Sequence, residues 1–327
     1  MLLAKRHELN LNDCLTDTIP GTSDTYLPDN QSYNIPFKNQ ISIRQLLEHR
    51  AGVFDLTNFP VPDTCMAMYA GHNYLEFVES IFPSHNFTLD EIFGVIARYH
   101  LCDFSPDSAF HYSNTGYMLL GKIIERVSGQ SYSDFINGQI LTPNQLTQTS
   151  FPLSTVSILP DPYIPAKVQS GFDLITIRKQ NMSYEFAQGN CVTTAGNLVS
   201  WLKKWQGGHA GLPFSVVQQM RNGSGQNEDY GFGTSFVPGM GYGHTGAIAG
   251  YLSFMFYDPE ADFTMLLICN LWNMKTQDSF YEQVSKLSEI YVNAKQICTE
   301  SAKTTTPETI KLYDLLKQEI KKTLVGS

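Results

Sequence analysis

The stretch Phe104-Ser105-Pro106-Asp107-Ser108-Ala109-Phe110-His111-Tyr112-Ser113-Asn114-Thr115-Gly116-Tyr117-Met118-Leu119-Leu120-Gly121 decides how this chain is read. A proline-bearing loop delivers Tyr112-Ser113-Asn114 to the mouth of an apolar helix expected from Gly116 to Val127. Small polar residues at such a junction can accept from the orphan amides of the first helical turn. Taken alone, the pattern describes an N-cap beside a packing tyrosine.

Composition narrows the possibilities. At 327 residues, 42% hydrophobic and 16% charged, the chain can bury a large core as one compact unit or as two interleaved subdomains. A formal charge of −9 leaves no basic stripe to neutralise phosphates, so no nucleic-acid partner is expected. Cys14, Cys65, Cys102, Cys191, Cys269 and Cys298 are widely spaced, without a C-x-x-C pair, and H-E-x-x-H is absent. No metal site and no cofactor are therefore expected, while disulfides and free thiols both stay open. No apolar run approaches the roughly 20 residues of a spanning helix. Met1-Leu-Leu-Ala runs at once into Lys5-Arg6, unlike a signal peptide. The chain as written reads as soluble, with its compartment unknown; an export signal for a periplasmic or secreted parent would lie upstream of Met1.

Periodicity supplies the coarse architecture. Ile43, Leu46 and Leu47 form one stripe of a helix in Ile41–Gly52, with Gly52 as its stop. Thr88, followed by Glu91, opens a capped helix reaching Arg98. Phe59–Pro62 and Gly71–Tyr74 read as loops, and Pro152–Pro165 as a long one. From Tyr230 to Asn270 the period changes to short β-rich runs broken at Pro238-Gly239 and Asp258-Pro259, as in an antiparallel meander. Ser279–Val292 is helical, and Thr304–Pro307 leads into a last helix reaching Leu324. The one Ser-x-x-Lys, Ser200-Trp-Leu-Lys203, lies on an amphipathic helix with Leu198, Leu202 and Trp205 inward, and reads as a solvated face.

Several segments in order resemble one family. They are Leu9-Asn-Leu-Asn-Asp13, Ile41-Ser-Ile-Arg-Gln-Leu-Leu-Glu-His49-Arg50-Ala51-Gly52, Tyr112-Ser113-Asn114 with its continuation to Gly129, Ile140-Leu-Thr-Pro-Asn-Gln-Leu-Thr-Gln-Thr149, and His244-Thr245-Gly246. Together they resemble the penicillin-recognising serine hydrolases: class C β-lactamases, D-alanyl-D-alanine carboxypeptidases and related esterases. The resemblance implies an α+β, β-lactamase/transpeptidase-like fold, an antiparallel sheet flanked by helices beside an all-helical region. That domain is expected over 1–297, with a linker and C-terminal helix over 298–327. Arg50-Ala51 departs from the family's Thr-Ser, and His49 is expected to be a satisfied supporting residue.

The implied chemistry is acyl transfer or hydrolysis of D-amino-acid peptides, esters or β-lactams through an acyl-serine. Tyr112 would be the phenolic base or proton relay, and His244 stands where the family's Lys-Thr-Gly carries lysine. Asn114 would donate to the substrate's acyl-side carbonyl. Thr245 would offer a hydroxyl to a carboxylate or carbonyl, Gly246 would let substrate approach the strand, and the amide of Ala247 would be one oxyanion-hole donor. The family's Ser-x-x-Lys lies upstream on the helix that Met1–Ala4 would end. The chain is therefore expected to be N-terminally incomplete, to lack the early strands, and to be inactive as it stands. The alternative is a non-catalytic binding paralogue or an interaction subunit retaining the cleft. Self-association through an uncovered sheet edge is expected, and the partner otherwise is a small-molecule or peptide substrate.

Overall fold

A computed structural model describes residues 1–153, 159, 161–177, 180–226, 229–248 and 250–303. Its elements in order are α1 (Leu2–Lys5), α2 (Ile43–Leu47), α3 (Tyr74–Ile81), α4 (Leu89–Tyr99), α5 (Asn114–Ser128), α6 (Tyr132–Ile136), β1 (Ala166–Ser170), β2 (Asp173–Ile177), α7 (Ala195–Gln206), α8 (Phe214–Asn222), β3 (Ser235–Val237), β4 (Gly241–Ile248), β5 (Tyr251–Asp258), β6 (Phe263–Cys269), β7 (Leu271–Asn273) and α9 (Gln277–Lys303). The linker and helix expected after Lys303 lie outside the described residues, as do 154–158 and 160 of the expected proline-rich loop. Helix α9 itself runs unbroken past Cys298. The chain forms two compact units, one of Met1–Leu159, Lys179–Asn197 and Gly207–Gly233, the other of Pro160–Arg178, Leu198–Gln206 and Thr234–Ser327.

The first unit is helical. Ser113 caps α5 by accepting from the Gly116 N–H at 3.1 Å, a contact worth about 1 kcal/mol. Gly129, at φ +67°, closes the helix in the left-handed conformation. Thr115, Met118, Leu119 and Ile123 bury the i, i+3, i+4 face that the spacing predicts. Thr88 caps α4, whose Ile92, Phe93, Val95 and Ile96 are buried, and the Tyr33 and Phe93 rings lie 5.3 Å apart. The loop expected at Gly71–Tyr74 runs directly into α3, which Asn73 caps by accepting from Leu75 and Glu76.

One expectation needs correcting. Helix α2 opens with a Ser42–Gln45 capping box and ends at Leu47, so Gly52 is not its stop. Gly52 has φ +67°, and a β-carbon there would sit 2.1 Å from the Phe104 carbonyl oxygen. It is glycine because two strands of chain are laced together at this point. Asp103 N–H donates to Gly52 O at 3.0 Å, and Asp107 N–H to Arg50 O at 2.8 Å. The Arg50 guanidinium completes the lace, donating to Asp107 Oδ1 at 2.7 Å and to Asp107 O at 2.6 Å. The departure from Thr-Ser at Arg50 thus holds the loop that carries Tyr112.

The second unit contains two sheets. β3-β4-β5-β6 is the antiparallel meander that the alternation predicts, and Leu252, Phe254 and Phe256 of β5 pack with Leu287 and Tyr291 of α9. The Tyr291 hydroxyl donates to Met265 O at 3.0 Å, satisfying a polar tip in that core. Lys295 of α9 pairs with Asp258 at 2.7 Å and donates to Gly239 O at 2.7 Å. The second sheet, β2-β1-β7, is not foreshadowed by the sequence reading. β1 runs antiparallel to β2 and parallel to β7. The Trp272 indole donates to Tyr251 O at 2.9 Å, tying β7 to β5.

Candidate active site

Tyr112 and Asn114 belong to the first unit, and His244, Thr245, Gly246 and Ala247 to the second. In the first unit the Tyr-Ser-Asn triplet divides its labour. Ser113 is buried and spent on the cap, whereas Tyr112 is 37% exposed and Asn114 half-buried at the first position of α5.

Tyr112 rests on a cluster centred on His49, which is buried and lies in the left-handed region at φ 54°. The His49 ring stands 4.2 Å from Tyr112, 4.8 Å from Tyr117 and 4.9 Å from Tyr230, centroid to centroid. Ser113 N–H donates to His49 Nδ1 at 3.0 Å. That bond places the imidazole proton on Nε2, which donates to the Tyr230 hydroxyl at 3.1 Å. Tyr230 is in turn hydrogen-bonded to Tyr117, whose hydroxyl donates to Leu47 O at 2.8 Å. Both ring nitrogens of His49 are therefore committed to the fold, which makes it a support and not a base. Burial, reinforced by the charge of Asp55, pushes the Tyr112 phenol up to about 12. At neutral pH this side chain is a proton donor, and acting as a base would require a nearby cation.

The sequence reading missed Asp55. It is fully buried and surrounded by donors: Thr57 N–H at 3.1 Å and Oγ1 at 2.7 Å, Asn58 Nδ2 at 2.7 Å, Asn114 N–H at 3.2 Å and Thr115 Oγ1 at 3.3 Å. A buried carboxylate is tolerated only where such donors meet it. The available signal was a lone acid in the otherwise apolar run Ala51–Leu56, followed at once by Thr57 and Asn58.

In the second unit, β3 pairs with β4 only at Gly241–Gly243, while β5 pairs with β4 throughout. His244–Ile248 therefore present one strand edge with no described strand on it. Thr245, Gly246 and Ala247 on that edge are exposed. His244 is half-buried, and its Nδ1 donates to Thr245 O at 2.6 Å, leaving Nε2 as the acceptor nitrogen. Burial lowers its pKa below 6.5 against a smaller opposing effect of that bond, so His244 is neutral at pH 7. A β-carbon on Gly246 would come within 2.5 Å of Ser253 Oγ on β5. The missing side chain at Gly246 thus makes room for Ser253 within the sheet. On α7, Leu202 and Trp205 are buried and Lys203 is exposed, with Ser200 half-buried.

Comparison with known proteins bears on the whole arrangement. A family model described as Beta-lactamase matches residues 1–283. Protein flp of Staphylococcus aureus (strain NCTC 8325 / PS 47) is 24% identical over 277 residues, covering 82% of this chain and 49% of its own length. Penicillin-binding protein 4* of Bacillus subtilis (strain 168) is 31% identical over 128 residues, 38% of this chain and 23% of that protein. The chain thus spans about half the length, or less, of these curated relatives. Among solved structures, a D-stereospecific amidohydrolase from Streptomyces sp. superposes with a TM-score of 0.66 at 22% identity, over 86% of this chain and 80% of that one. A D-amino acid amidase from Ochrobactrum anthropi SV3, complexed with D-phenylalanine, gives 0.63 at 21% identity, over 88% and 86%. Likenesses at this identity establish the α+β fold; the family match over most of the sequence goes further, and the chain belongs to the β-lactamase family.

Proposed function

We propose that this chain carries the substrate cleft of an acyl-transferring serine hydrolase acting on peptides, amides or esters of D-amino acids, or on β-lactams. The observation that carries the reading is the division within Tyr112-Ser113-Asn114: the fold consumes the middle residue and presents the outer two. The D-stereospecific enzymes among the structural neighbours support the substrate class. In this reading Tyr112 shuttles a proton, Asn114 and Thr245 hold the substrate, and the Ala247 amide supports the oxyanion. His244 is a neutral acceptor in place of a permanent cation. The acyl-forming serine is not among Tyr112, Asn114 and His244–Ala247, and Ser200 is not proposed for it. The 327-residue polypeptide is accordingly expected to bind but not to turn over. The test is incubation with a fluorescent penicillin, followed by denaturing electrophoresis. No stable label is expected, and a label mapping to Ser200 would overturn the assignment of the nucleophile elsewhere.

A second reading, a cleft kept for binding alone, is favoured by the Tyr112 phenol, which burial and Asp55 hold protonated. Self-association belongs to the same set of proposals, supported by the similarity, at TM-score 0.58, to an octameric penicillin-binding protein homologue from Pyrococcus abyssi. The two readings separate on a version extended to supply Ser-x-x-Lys ahead of Met1. Turnover of D-phenylalanine amide that is lost in Tyr112→Phe supports the hydrolase, and silence in both supports the binding protein. Among the described residues no helix is long and apolar enough to cross a membrane.

A further inference from the structure

The polarity of the hydrogen bonds around Asn114 is set by a residue to which the Asn114 side chain makes no hydrogen bond. Asp55 is fully buried and meets only donors, so its carboxylate accepts from every side. The Thr57 hydroxyl has one proton, and it goes to Asp55 Oδ1 at 2.7 Å. Its oxygen is then left as an acceptor, and the group opposite it, at 3.1 Å, is the Asn114 carboxamide. A carboxamide can offer that acceptor only its NH2 end. The choice between the two flips of Asn114 is therefore made by a buried charge and relayed through one hydroxyl.

We infer that Asp55, acting through Thr57, is a positioning residue for Asn114, fixing its carboxamide so that Oδ1 and the second N–H face a ligand together. Among the described residues neither of those groups takes a hydrogen bond, and Asn114 is only half-buried. The free N–H can donate to a carbonyl, and Oδ1 can accept from an N–H. A trans amide points its C=O and N–H in opposite directions, so a single amide meets one of the two and not both. The inference rests on the hydrolase reading for the ligand: the acyl-side carbonyl that the resemblance gives to Asn114 takes the free N–H, and a bare amine in that place forfeits the contact. The backbone contact from Asn114 N–H to Asp55 Oδ2, at 3.2 Å, anchors the same residue at its other end.

Two measurements on the full 327-residue chain separate the inference from the reading beneath it. The first is proton exchange with water at the two side-chain N–H groups of Asn114, followed by 15N NMR and assigned by loss of the signal in Asn114→Ala. The N–H held by Thr57 is expected to exchange several-fold more slowly than its twin. Thr57→Val equalises the pair, and Thr57→Ser, which keeps the hydroxyl, restores the difference. Equal rates in the wild type, or a difference untouched by Thr57→Val, overturns the inference. Should Asp55→Asn fail to fold, the Thr57 pair still decides, because valine is nearly isosteric with threonine. The second measurement is calorimetric binding of N-acetyl-D-phenylalanine against D-phenylalanine. About tenfold preference for the acetylated ligand is expected, lost in Thr57→Val and kept in Thr57→Ser. Normal exchange behaviour with no preference between ligands leaves the positioning intact and counts against the hydrolase reading.

Discussion

The two units hold their candidate site residues by opposite means. Around Tyr112 and Asn114 the work is done by side chains, with buried Asp55 and buried His49 each saturated by hydrogen bonds reaching across about sixty residues of sequence. Around His244–Ala247 it is done by main chain: a strand paired on one side, exposed on the other, and carrying small side chains. The first arrangement is sensitive to any lost polar atom. The second is sensitive to backbone shape and nearly indifferent to side-chain chemistry, apart from His244.

The largest expected effect breaks the lace that delivers Tyr112. Gly52→Ala combines a left-handed backbone with a β-carbon 2.1 Å from Phe104 O, whereas Gly129 has the same φ of +67° and nothing within 4 Å. Gly52→Ala should cost upwards of about 3 kcal/mol and Gly129→Ala about 1 kcal/mol in urea unfolding. Equal costs would mean that the approach of the two segments is not what demands glycine.

Next in size is an effect on ligands at the second unit. Because His244 is neutral at pH 7, ligands bearing a free carboxylate gain no permanent cation there. His244→Lys should strengthen binding of N-acetyl-D-phenylalanine over its methyl ester by about 1–2 kcal/mol. An unchanged ratio removes the carboxylate from the neighbourhood of residue 244.

Smaller still is a pH effect away from the edge. Burial would raise the Asp258 carboxyl, but the hydrogen bond and charge of Lys295, together with hydrogen bonds from the Glu260 and Ala261 amides, outweigh it and hold the group below the usual carboxylate range. A depressed folded value means that this contribution is complete above the unfolded value of about 3.9 and is lost as the pH falls through the folded one. Lys295→Met should cost about 1 kcal/mol at pH 7 and flatten the acid limb of the stability curve. The smallest effect is at Thr245, exposed on its edge: Thr245→Ala should change stability by less than about 0.5 kcal/mol. A larger loss would erase the contrast between the units.

What could be read from the sequence follows from how local each feature is. The caps at Ser113 and Thr88 are made by residues three apart, so the chain announces them, whereas the stop at Gly129 went unread behind a helix expected to end at Val127. The β4–β5–β6 meander is announced by its alternation and turns. The parallel pairing of β1 with β7 joins segments about a hundred residues apart and leaves no local mark. Asp55 illustrates the same limit at the candidate site. Its identity as an acid in an apolar run was visible, but its Thr115 and Asn114 partners, 60 and 59 residues on, were not. Gly52 was noticed for the wrong reason, because a glycine after a helix has a local explanation that hides a distant one.

The lace between Arg50–Val53 and Cys102–Asp107 also dictates an order of events. The bridge from Val53 to Cys102 closes a loop of about fifty residues, at an entropic cost of ~3.5 kcal/mol that α5, capped from within, does not bear. Helix α5 is therefore able to form before the lace closes, while Tyr112 gains its seat only afterwards. Opening of the lace alone is expected to unseat Tyr112 while α5 stays helical, so a protein with most of its helix intact could already have surrendered its site.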